Sequence, residues 1–228
     1  MSNDIYPIFF EPVYKGVVWG GDLLKNFVNR ELPTLDLPIA ESWEIVDRED
    51  AQSVVKNGPL EGKTIRELIQ NNPTGIVGYK HKSDQLFPLH VKLIDAGKRC
   101  SLQVHPDDEA CKIFENSKPK TEAWYILDHE EDAEIMASFS KNASQAEFRS
   151  KMNGKEVESL LQVFPSRVGD SYFIPSGRVH AVGGGNLIFE VQQNSNSTFR
   201  ISDWGRVDAE GNSRELHIEE ALESINFQ

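Results

Sequence analysis

Cysteine is scarce in this 228-residue chain, which has only Cys100 and Cys111. Two cysteines cannot build a disulfide framework, so we expect free thiols in a reducing compartment. Residues 1–14 show no basic segment followed by an apolar one, which predicts that the chain carries no signal peptide. Apolar runs of membrane-spanning length are also missing. These absences predict a soluble, cytoplasmic, globular protein.

Positive charge is in short supply as well. The net charge is −12, which argues against a nucleic-acid groove and against binding to an anionic membrane surface. A small anionic ligand would therefore need a local cluster of basic side chains. The 12 Phe and 4 Trp residues supply large apolar side chains for a core. These features favour a small-molecule site over a nucleic-acid or membrane partner.

Short segments of strand character, separated by Gly and Pro turns, predict a mainly β protein, either a sandwich or a barrel. The predicted strands are residues 41–46, 89–94, 101–105, 121–127, 170–175, 179–182 and 187–192. The predicted helices are residues 64–70, 107–115, 144–152, 155–162 and 217–225. The helices occur in blocks between strands, which argues against a doubly wound sheet. The simplest organisation is one domain over residues 1–228, with helical insertions near 64–72, 107–116 and 144–162.

Side chains that can bind a metal recur on one face of two predicted strands. Side chains two apart on a strand share a face. Gln103 and His105 therefore point the same way, while the apolar residues beside them point to the other side. Glu122 likewise shares a face with Lys120. Polar groups on one face and apolar groups on the other are what a lined barrel cavity needs.

The segment from Gly169 to His180 has the spacing of the second cupin motif. Gly169 is followed by five residues, then by Pro175, Ser and Gly177, and by His180. A strand, a tight turn and a second strand would aim the imidazole of His180 into a barrel. The final Asn of the motif is missing, since Gly184 stands in its place.

The first cupin motif is present in altered form. Gly97 is followed after five residues by Gln103 and His105, so that the usual His-x-His has become Gln-x-His. The Glu expected a few residues later is displaced to Glu122 by the insert 106–121.

Gln103, His105, Glu122 and His180 together form a mixed nitrogen and oxygen ligand set. Such a set suits Zn²⁺ in an open catalytic site, or Mn or Fe. Taken alone, each histidine would more often be structural, and Glu122 would be a solvated charge. Their occurrence in two matching strand contexts favours a metal site. Gln103 stays open as a ligand or as a neighbour of the ligands, because a neutral amide is a weak donor to zinc.

Several segments, in order along nearly the whole chain, resemble type I mannose-6-phosphate isomerase of the cupin superfamily. They are residues 15–21, 41–44, 103–108, 120–122, 174–181, 194–200 and 214–217. The resemblance implies a mainly β, cupin-type jelly-roll β-barrel with short helical insertions and a C-terminal helix. It is a resemblance to a short form, since longer relatives continue after this point into a further β-rich region.

The resemblance implies a zinc-dependent interconversion of mannose 6-phosphate and fructose 6-phosphate through an enediol, with the four residues above as metal ligands. It implies substrate binding by Lys92, Lys120 and Arg200, of which Lys120 and Arg200 are also catalytic candidates. Glu190 is the candidate base. Simpler interpretations are a solvent-facing Lys92 and a Glu190 that pairs with a nearby arginine. Arg206 is a phosphate candidate, although a surface turn arginine is slightly favoured.

Two other functions stay open. One is a non-catalytic or altered-specificity cupin that binds a sugar phosphate or a metal. The other is a different cupin enzyme, such as an oxygenase, which a Gln and a Glu in place of a full histidine set make less favoured. The expected partner is a small sugar phosphate, with no nucleic acid and no membrane, and the expected assembly is a monomer or a homodimer.

Overall fold

The computed structural model describes residues 6–140, 143–152, 155–207 and 211–227. The strands are β1 (Phe10–Glu11), β2 (Val13–Gly16), β3 (Ile39–Ile45), β4 (Val54–Val55), β5 (Leu89–Ala96), β6 (Leu102–Val104), β7 (Glu122–His129), β8 (Glu134–Phe139), β9 (Leu161–Pro165), β10 (Ser171–Ile174), β11 (His180–Val182), β12 (Asn186–Gln193) and β13 (Phe199–Ser202). The helices are α1 (Leu23–Phe27), α2 (Ile65–Asn71), α3 (Pro73–Ile76), α4 (Gln145–Lys151) and α5 (Ile218–Ser224). Short 3₁₀ segments lie at Gly58–Leu60, Ala110–Lys112 and Lys155–Leu160.

Two antiparallel sheets contain most of the strands. The six-stranded sheet has the order β10-β7-β12-β5-β3-β2, and the five-stranded sheet has the order β13-β6-β11-β8-β9. Strands β1 and β4 pair separately. Neighbours within each sheet are often distant in sequence, because the chain passes repeatedly from one sheet to the other. This crossing is typical of a jelly roll.

The inner core lies between the two sheets. Ile94, Ile126 and Ile188 of the six-stranded sheet pack with Ile135 and Val182 of the five-stranded sheet, and all are almost fully buried. Burial of apolar area at this level is the main favourable contribution to folding. These apolar side chains fill one part of the space between the sheets. Polar residues farther along the same strands line the remaining cavity.

Helices cover the outer faces of both sheets. Phe148 of α4 and Leu222 of α5 pack with Leu102 and Val104 of β6 in one cluster. On the other sheet, Leu24 of α1 packs with Leu93 and Leu187 in a smaller cluster. Since the apolar side chains of β6 point outward to the helices, Gln103 must point inward, as the alternation predicts.

The mainly β, cupin-type jelly roll with helical additions is confirmed, and every predicted strand is present. Helix α2 begins at the predicted capping box, in which Thr64 Oγ1 accepts from the Glu67 amide and a Glu67 oxygen accepts from the Thr64 amide. The C-terminal helix α5 is also confirmed. Cys100 and Cys111 are free thiols.

Two of the predicted helical insertions are wrong in part. Residues 107–116 contain only the 3₁₀ turn Ala110–Lys112, although Asp107 Oδ1 does accept the amides of Glu109 and Ala110. Ile113 is exposed, so a longer helix here would have no buried apolar stripe to stabilise it.

In the insertion 144–162, α4 is confirmed, but the predicted helix 155–162 is a 3₁₀ segment followed by strand β9. Pairing with β8 decides this outcome, since Phe164 lies opposite Ile135 in that ladder. Strands β8 and β13 and helix α1 were not predicted. In β8 three consecutive residues, 135–137, are buried, so that the alternation by which a half-buried strand is recognised is missing.

The described helices include none long and apolar enough to cross a lipid bilayer.

Candidate metal centre and adjoining cavity

Three buried side chains from the two sheets converge at one point. His105 directly follows β6, His180 begins β11, and Glu122 begins β7 of the opposite sheet. His180 Nε2 lies 3.2 Å from Glu122 Oε1, and His105 Nε2 lies 3.4 Å from Glu122 Oε2. All the ligand atoms of this group lie within 4.8 Å of one another.

A tight turn brings the second histidine to the first. Gly177 has φ +82°, in the left-handed region that favours glycine. Its amide donates to His105 O at 2.8 Å. The turn therefore joins the end of β6 to the start of β11, where His180 pairs with Gln103 in the strand register. The predicted strand–turn–strand logic of the motif is confirmed.

Hydrogen bonds to the backbone orient both imidazoles. Nδ1 of His105 lies 2.9 Å from Ser197 O, and Nδ1 of His180 lies 2.8 Å from Arg178 O. A ring nitrogen that faces a carbonyl oxygen must carry the proton. In a neutral ring with its proton on Nδ1, Nε2 carries a lone pair. The Nε2 atoms of both histidines point to Glu122.

This arrangement fits a divalent cation. Burial, with a further contribution from Lys120, lowers the pKa of His105 to about 3, so its ring is neutral. Its Nε2 lone pair therefore faces carboxylate oxygens, and His105 Nε2 and Glu122 Oε1 are buried without a hydrogen-bond partner among the described residues. Such contacts are unfavourable unless a cation lies between them. Histidine nitrogens fixed through Nδ1 and a carboxylate are typical zinc ligands.

Gln103 lies beside the three ligands and its amide has two usable orientations. In one orientation its Nε2 is 3.2 Å from His180 Nε2, and Ser101 Oγ donates to its Oε1 at 3.3 Å. With the amide turned over, Oε1 faces the imidazole side and Nε2 meets the Ser101 hydroxyl, which accepts as well as donates. The geometry is compatible with Gln103 as a fourth ligand.

Lys120 contacts the metal-ligand carboxylate. Its Nζ lies 2.9 Å from Glu122 Oε2, and both residues are buried. Burial would raise the pKa of Glu122, but the charge of the nearby Lys120 ammonium opposes burial, and that pKa lies well below its usual value. Glu122 is therefore ionised, as a metal ligand must be.

A second buried charge cluster lies beside the metal centre. Lys92 Nζ is 3.1 Å from Glu190 Oε1 and 3.4 Å from Glu41 Oε2. The other Glu190 oxygen accepts from Trp124 Nε1 at 2.9 Å. Lys92 is only 9% exposed, so the simpler interpretation as a solvent-facing lysine is wrong. The partner of Glu190 is a lysine and not the arginine of its alternative interpretation.

Burial controls the protonation of this cluster. It raises the pKa of Glu190, and the nearby Glu122 adds to that rise while Lys92 opposes it. For Lys92, burial would lower the pKa, but Glu190 and Glu41 outweigh it and raise the pKa above its ordinary value. A lysine that stays charged therefore holds a carboxylate of raised basicity, which is suitable for taking up a proton.

A cavity of about 470 Å³ opens beside the metal centre and joins these groups. Lys92 and Glu190 of the six-stranded sheet line it together with Lys120, and Gln103 and Arg200, which are neighbours in the strand register, line it from the five-stranded sheet. The other lining residues, which were not predicted as site residues, include Glu41, Trp43, Gln192, Arg214 and His217. Strand alternation could have identified the first three, because each lies two residues from another residue that faces the cavity.

Two arginines line the cavity at the end formed by β13 and the loop that follows it. Arg200 Nη1 donates to Glu215 O at 2.8 Å, and Arg200 forms no ion pair within the described ranges. Burial, together with repulsion from Arg214, lowers its pKa. Arg214 lines the same cavity and pairs with Asp203. This end of the cavity therefore has an excess of positive charge that can receive an anion.

Arg206 does not line this cavity. It pairs with Asp203, donates to Arg99 O, and lines a separate cavity of about 740 Å³. Its interpretation as a turn arginine thus fits the structure better than a role as a phosphate ligand.

A jelly-roll barrel with a buried His-Glu-His set and a cation-lined cavity defines a metal-binding cupin of enzyme type. The family model described as "Phosphomannose isomerase type I, catalytic domain" matches residues 8–158. The chain belongs to this type I phosphomannose isomerase family.

Relatives extend the similarity past the matched residues. Mannose-6-phosphate isomerase ManA of Bacillus subtilis is 40% identical over 225 residues, which cover 96% of this chain and 68% of that protein. The probable mannose-6-phosphate isomerase GmuF of the same organism is 38% identical over 223 residues, which cover 97% of this chain and 69% of that protein. The chain thus spans just over two thirds of the length of these relatives.

Solved structures agree with the fold. A crystal structure of mannose 6-phosphate isomerase from B. subtilis superposes with a TM-score of 0.86 at 37% identity, covering 96% of this chain and 68% of that one. A putative mannosephosphate isomerase from Archaeoglobus fulgidus superposes with a TM-score of 0.76 at 20% identity, over 100% of this chain and 70% of that one. The second similarity concerns the fold alone.

Proposed function

We propose that this chain interconverts mannose 6-phosphate and fructose 6-phosphate through an enediol, with one bound divalent metal, Zn²⁺. The observation that carries this proposal is the buried His105–Glu122–His180 set, whose ligand atoms converge beside a cavity containing Glu190. Membership of the type I phosphomannose isomerase family supports it. The relatives are named for the same reaction.

The metal would be held by His105, Glu122 and His180, with Gln103 as the fourth protein ligand. When bound, Zn²⁺ stabilises negative charge that develops on the substrate oxygen beside the carbon that loses its proton. Lys120, adjacent to Glu122, can donate a hydrogen bond to the same region of the substrate. This is the catalytic role that we assign to Lys120.

Glu190 acts as the base in this proposal. It takes the proton from C2 of the open-chain aldose, which leaves an enediolate, and the proton of the C2 hydroxyl passes to the C1 oxygen. Glu190 then returns its proton to C1, which gives the ketose. The Lys92 and Trp124 contacts hold the carboxylate in one orientation. A fixed base that reaches both carbons on one face meets the geometric requirement of this reaction.

The phosphate group would bind at the arginine end of the cavity. Arg200 has an N–H group available for the phosphate, since its Nε is buried without a hydrogen-bond partner in the described structure. Arg214 adds a second guanidinium, and Arg is well shaped for phosphate. Lys92 and Lys120 are paired with carboxylates, so we assign them contacts with the sugar oxygens instead. The cavity then orients the substrate with its reacting carbons toward Glu190 and its phosphate toward Arg200.

The proposal predicts chelator-sensitive turnover. Purified protein loaded with Zn²⁺ should convert mannose 6-phosphate to fructose 6-phosphate, detected by a coupled assay. A chelator should abolish the conversion, and His105→Ala should reduce it by at least about 10²-fold, the scale of loss typical for a disturbed metal site. The control is His81→Ala, since His81 does not line the cavity and its ring contacts Gln85 O.

The same assay distinguishes the isomerase from the non-catalytic alternative. A protein that holds one metal per chain and binds sugar phosphates, yet turns over no aldose phosphate, would be the non-catalytic cupin and would refute the isomerase. A single domain over residues 1–228, a cytoplasmic location, and a monomeric or homodimeric state stay predictions.

A further inference from the structure

Gln192 lies in the wall of the cavity next to the metal centre. It is 2% exposed, and it is two residues along β12 from Glu190, on the same face. In the strand register it lies opposite Glu122 of β7 and opposite His90 of β5. Gln192 is thus a neighbour of the candidate base Glu190 and of the metal ligand Glu122. The proposed function assigns no role to Gln192 itself.

Both donor hydrogens of its amide are committed to the backbone. Nε2 donates to Ser195 O at 2.7 Å and to Gln193 O at 3.0 Å. The opposite orientation of the amide is excluded, because it would direct Oε1 at two carbonyl oxygens. Oε1 therefore has a fixed direction, and it is buried with no hydrogen-bond partner in the part of the chain that the structure describes.

We propose that Gln192 Oε1 accepts a hydrogen bond from a sugar hydroxyl that takes no part in the reaction, on C3 or C4, and that Gln192 is a specificity-determining residue. This inference rests on the proposed isomerase function. A buried acceptor without a partner is costly, so a ligand that supplies a hydroxyl is favoured over one that does not. Hydroxyls are the donors that a sugar phosphate offers.

The competing occupant is a buried water. His90 Nε2 is also buried without a hydrogen-bond partner in the described ranges. A water between His90 and Gln192 would satisfy both groups and leave the substrate uninvolved. The experiment must therefore compare ligands that differ in one hydroxyl, since only the proposal predicts that the loss of the acceptor and the loss of the hydroxyl have the same effect.

Gln192→Met keeps the length of the side chain and removes its oxygen. For each of the wild type and this variant, kcat/KM is measured on mannose 6-phosphate and on its 3-deoxy and 4-deoxy analogues. The wild type should prefer mannose 6-phosphate over one analogue by about tenfold or more. In the variant that preference should fall to within about twofold of unity, because mannose 6-phosphate alone loses a contact.

A structural role for Gln192 would give a different pattern. Its donors hold the 193–197 loop, whose Ser197 O orients His105. If Gln192 acts only through that loop, Gln192→Met loses bound zinc and all substrates slow by one common factor, and the proposal is overturned. Gln193→Met is the matched control, since its Oε1 accepts from the Thr121 amide and its side chain is exposed. This control should leave the preference between substrates unchanged.

A binding measurement separates failure of this inference from failure of the proposed function. Titration calorimetry with a hexitol 6-phosphate, which has no carbonyl to react, and with its deoxy counterparts needs no turnover. An inactive wild type would refute the isomerase function. If, in addition, the wild type binds all these ligands equally, or Gln192→Met keeps the wild-type preference, the role of Gln192 is refuted as well.

Discussion

Lys92 is the residue on which the charge balance of the cavity depends most. It is the only lysine within 4 Å of Glu190 and Glu41 in the described structure. Its replacement by a neutral side chain would leave the buried Glu190 and the partly buried Glu41 without their ion-pair partner, which is a strongly unfavourable arrangement. The clearest consequence concerns the pKa of Glu190.

Lys92→Met should shift the pH dependence of activity to higher pH. Burial already raises the pKa of Glu190, and Lys92 opposes that rise. Without the ammonium, the pKa of Glu190 rises further, and the base is ionised only at higher pH. We expect the acid limb of the kcat/KM profile to move up by about one unit or more. The measurement is a pH profile of the coupled assay.

Lys112→Met is the control for this shift. Lys112 forms an exposed ion pair with Glu109, so its loss should leave the profile in place. An acid limb that stays at the wild-type position in Lys92→Met, with activity still measurable, would show that Glu190 is not the group that titrates.

At the level of elements, helix α1 depends on a carboxylate from a neighbouring strand. Its first residues have no side-chain cap of their own, since Asp22 makes no cap hydrogen bond. Asp95 Oδ2 of β5 accepts from the Leu24 amide at 2.7 Å instead. Gly21 packs so closely on Asp95 that a side chain there would overlap the carboxylate. The cap is thus supplied by tertiary contact.

Asp95→Asn should change how stability depends on pH. Burial raises the pKa of Asp95 to about 6. A carboxyl whose folded pKa exceeds its unfolded pKa of about 4 favours the folded state fully below pH 4, and this contribution is lost as pH rises through 6. The free energy of unfolding of Asp95→Asn, relative to that of the wild type, should therefore rise by up to about 3 kcal/mol between pH 4 and pH 8.

Urea denaturation of the metal-free protein at several pH values measures this gain, and the chelator removes the separate pH dependence of metal binding. Asp36→Asn changes an exposed carboxyl elsewhere in the same part of the chain and should follow the wild-type curve. Parallel curves for wild type and Asp95→Asn would contradict a raised pKa at Asp95.

Local and non-local signals explain which elements could be predicted. Helix α2 was predictable because its capping box uses residues three apart, Thr64 and Glu67. Strand β9 was not, because residues 155–162 have a helical pattern and only pairing with β8 makes Leu161 and its successors a strand. Propensity is a weak preference that a ladder of hydrogen bonds overrides.

At the level of the whole molecule, the metal centre connects the two sheets. Glu122 belongs to the six-stranded sheet, whereas His105 and His180 belong to the strands and turns of the five-stranded one. A bound ion would therefore link both halves of the barrel. A ligand that binds only the folded state stabilises that state, and the stabilisation grows with the ligand concentration.

Zinc should raise the unfolding temperature. At a free zinc concentration of 100 times Kd, the free energy of unfolding rises by about 2.7 kcal/mol. This corresponds to a rise in unfolding temperature of roughly 5–10 °C for a chain of this size. Thermal unfolding with zinc and with a chelator measures the shift. His180→Ala should lose most of it, while His81→Ala should keep it in full. An equal zinc shift in His180→Ala would place the ion elsewhere.

The sequence by itself determined which side chains share a face and where the turns lie. Alternation along β6 places Gln103 and His105 on the inner face, and the Pro175-to-Gly177 turn sets His180 at the start of the next strand. These features follow from backbone geometry within a few residues, so they are readable without a structure.

Only the tertiary structure decided which of these faces meet. The approach of Glu122 to both histidines, the burial of Lys92 between two carboxylates and the fixed orientation of the Gln192 amide all depend on how the two sheets pack. Arg214 enters the cavity through the loop that follows β13. The physical reason is that such contacts join residues distant in sequence, and their distances are set by packing of the whole core and not by the local period of the chain.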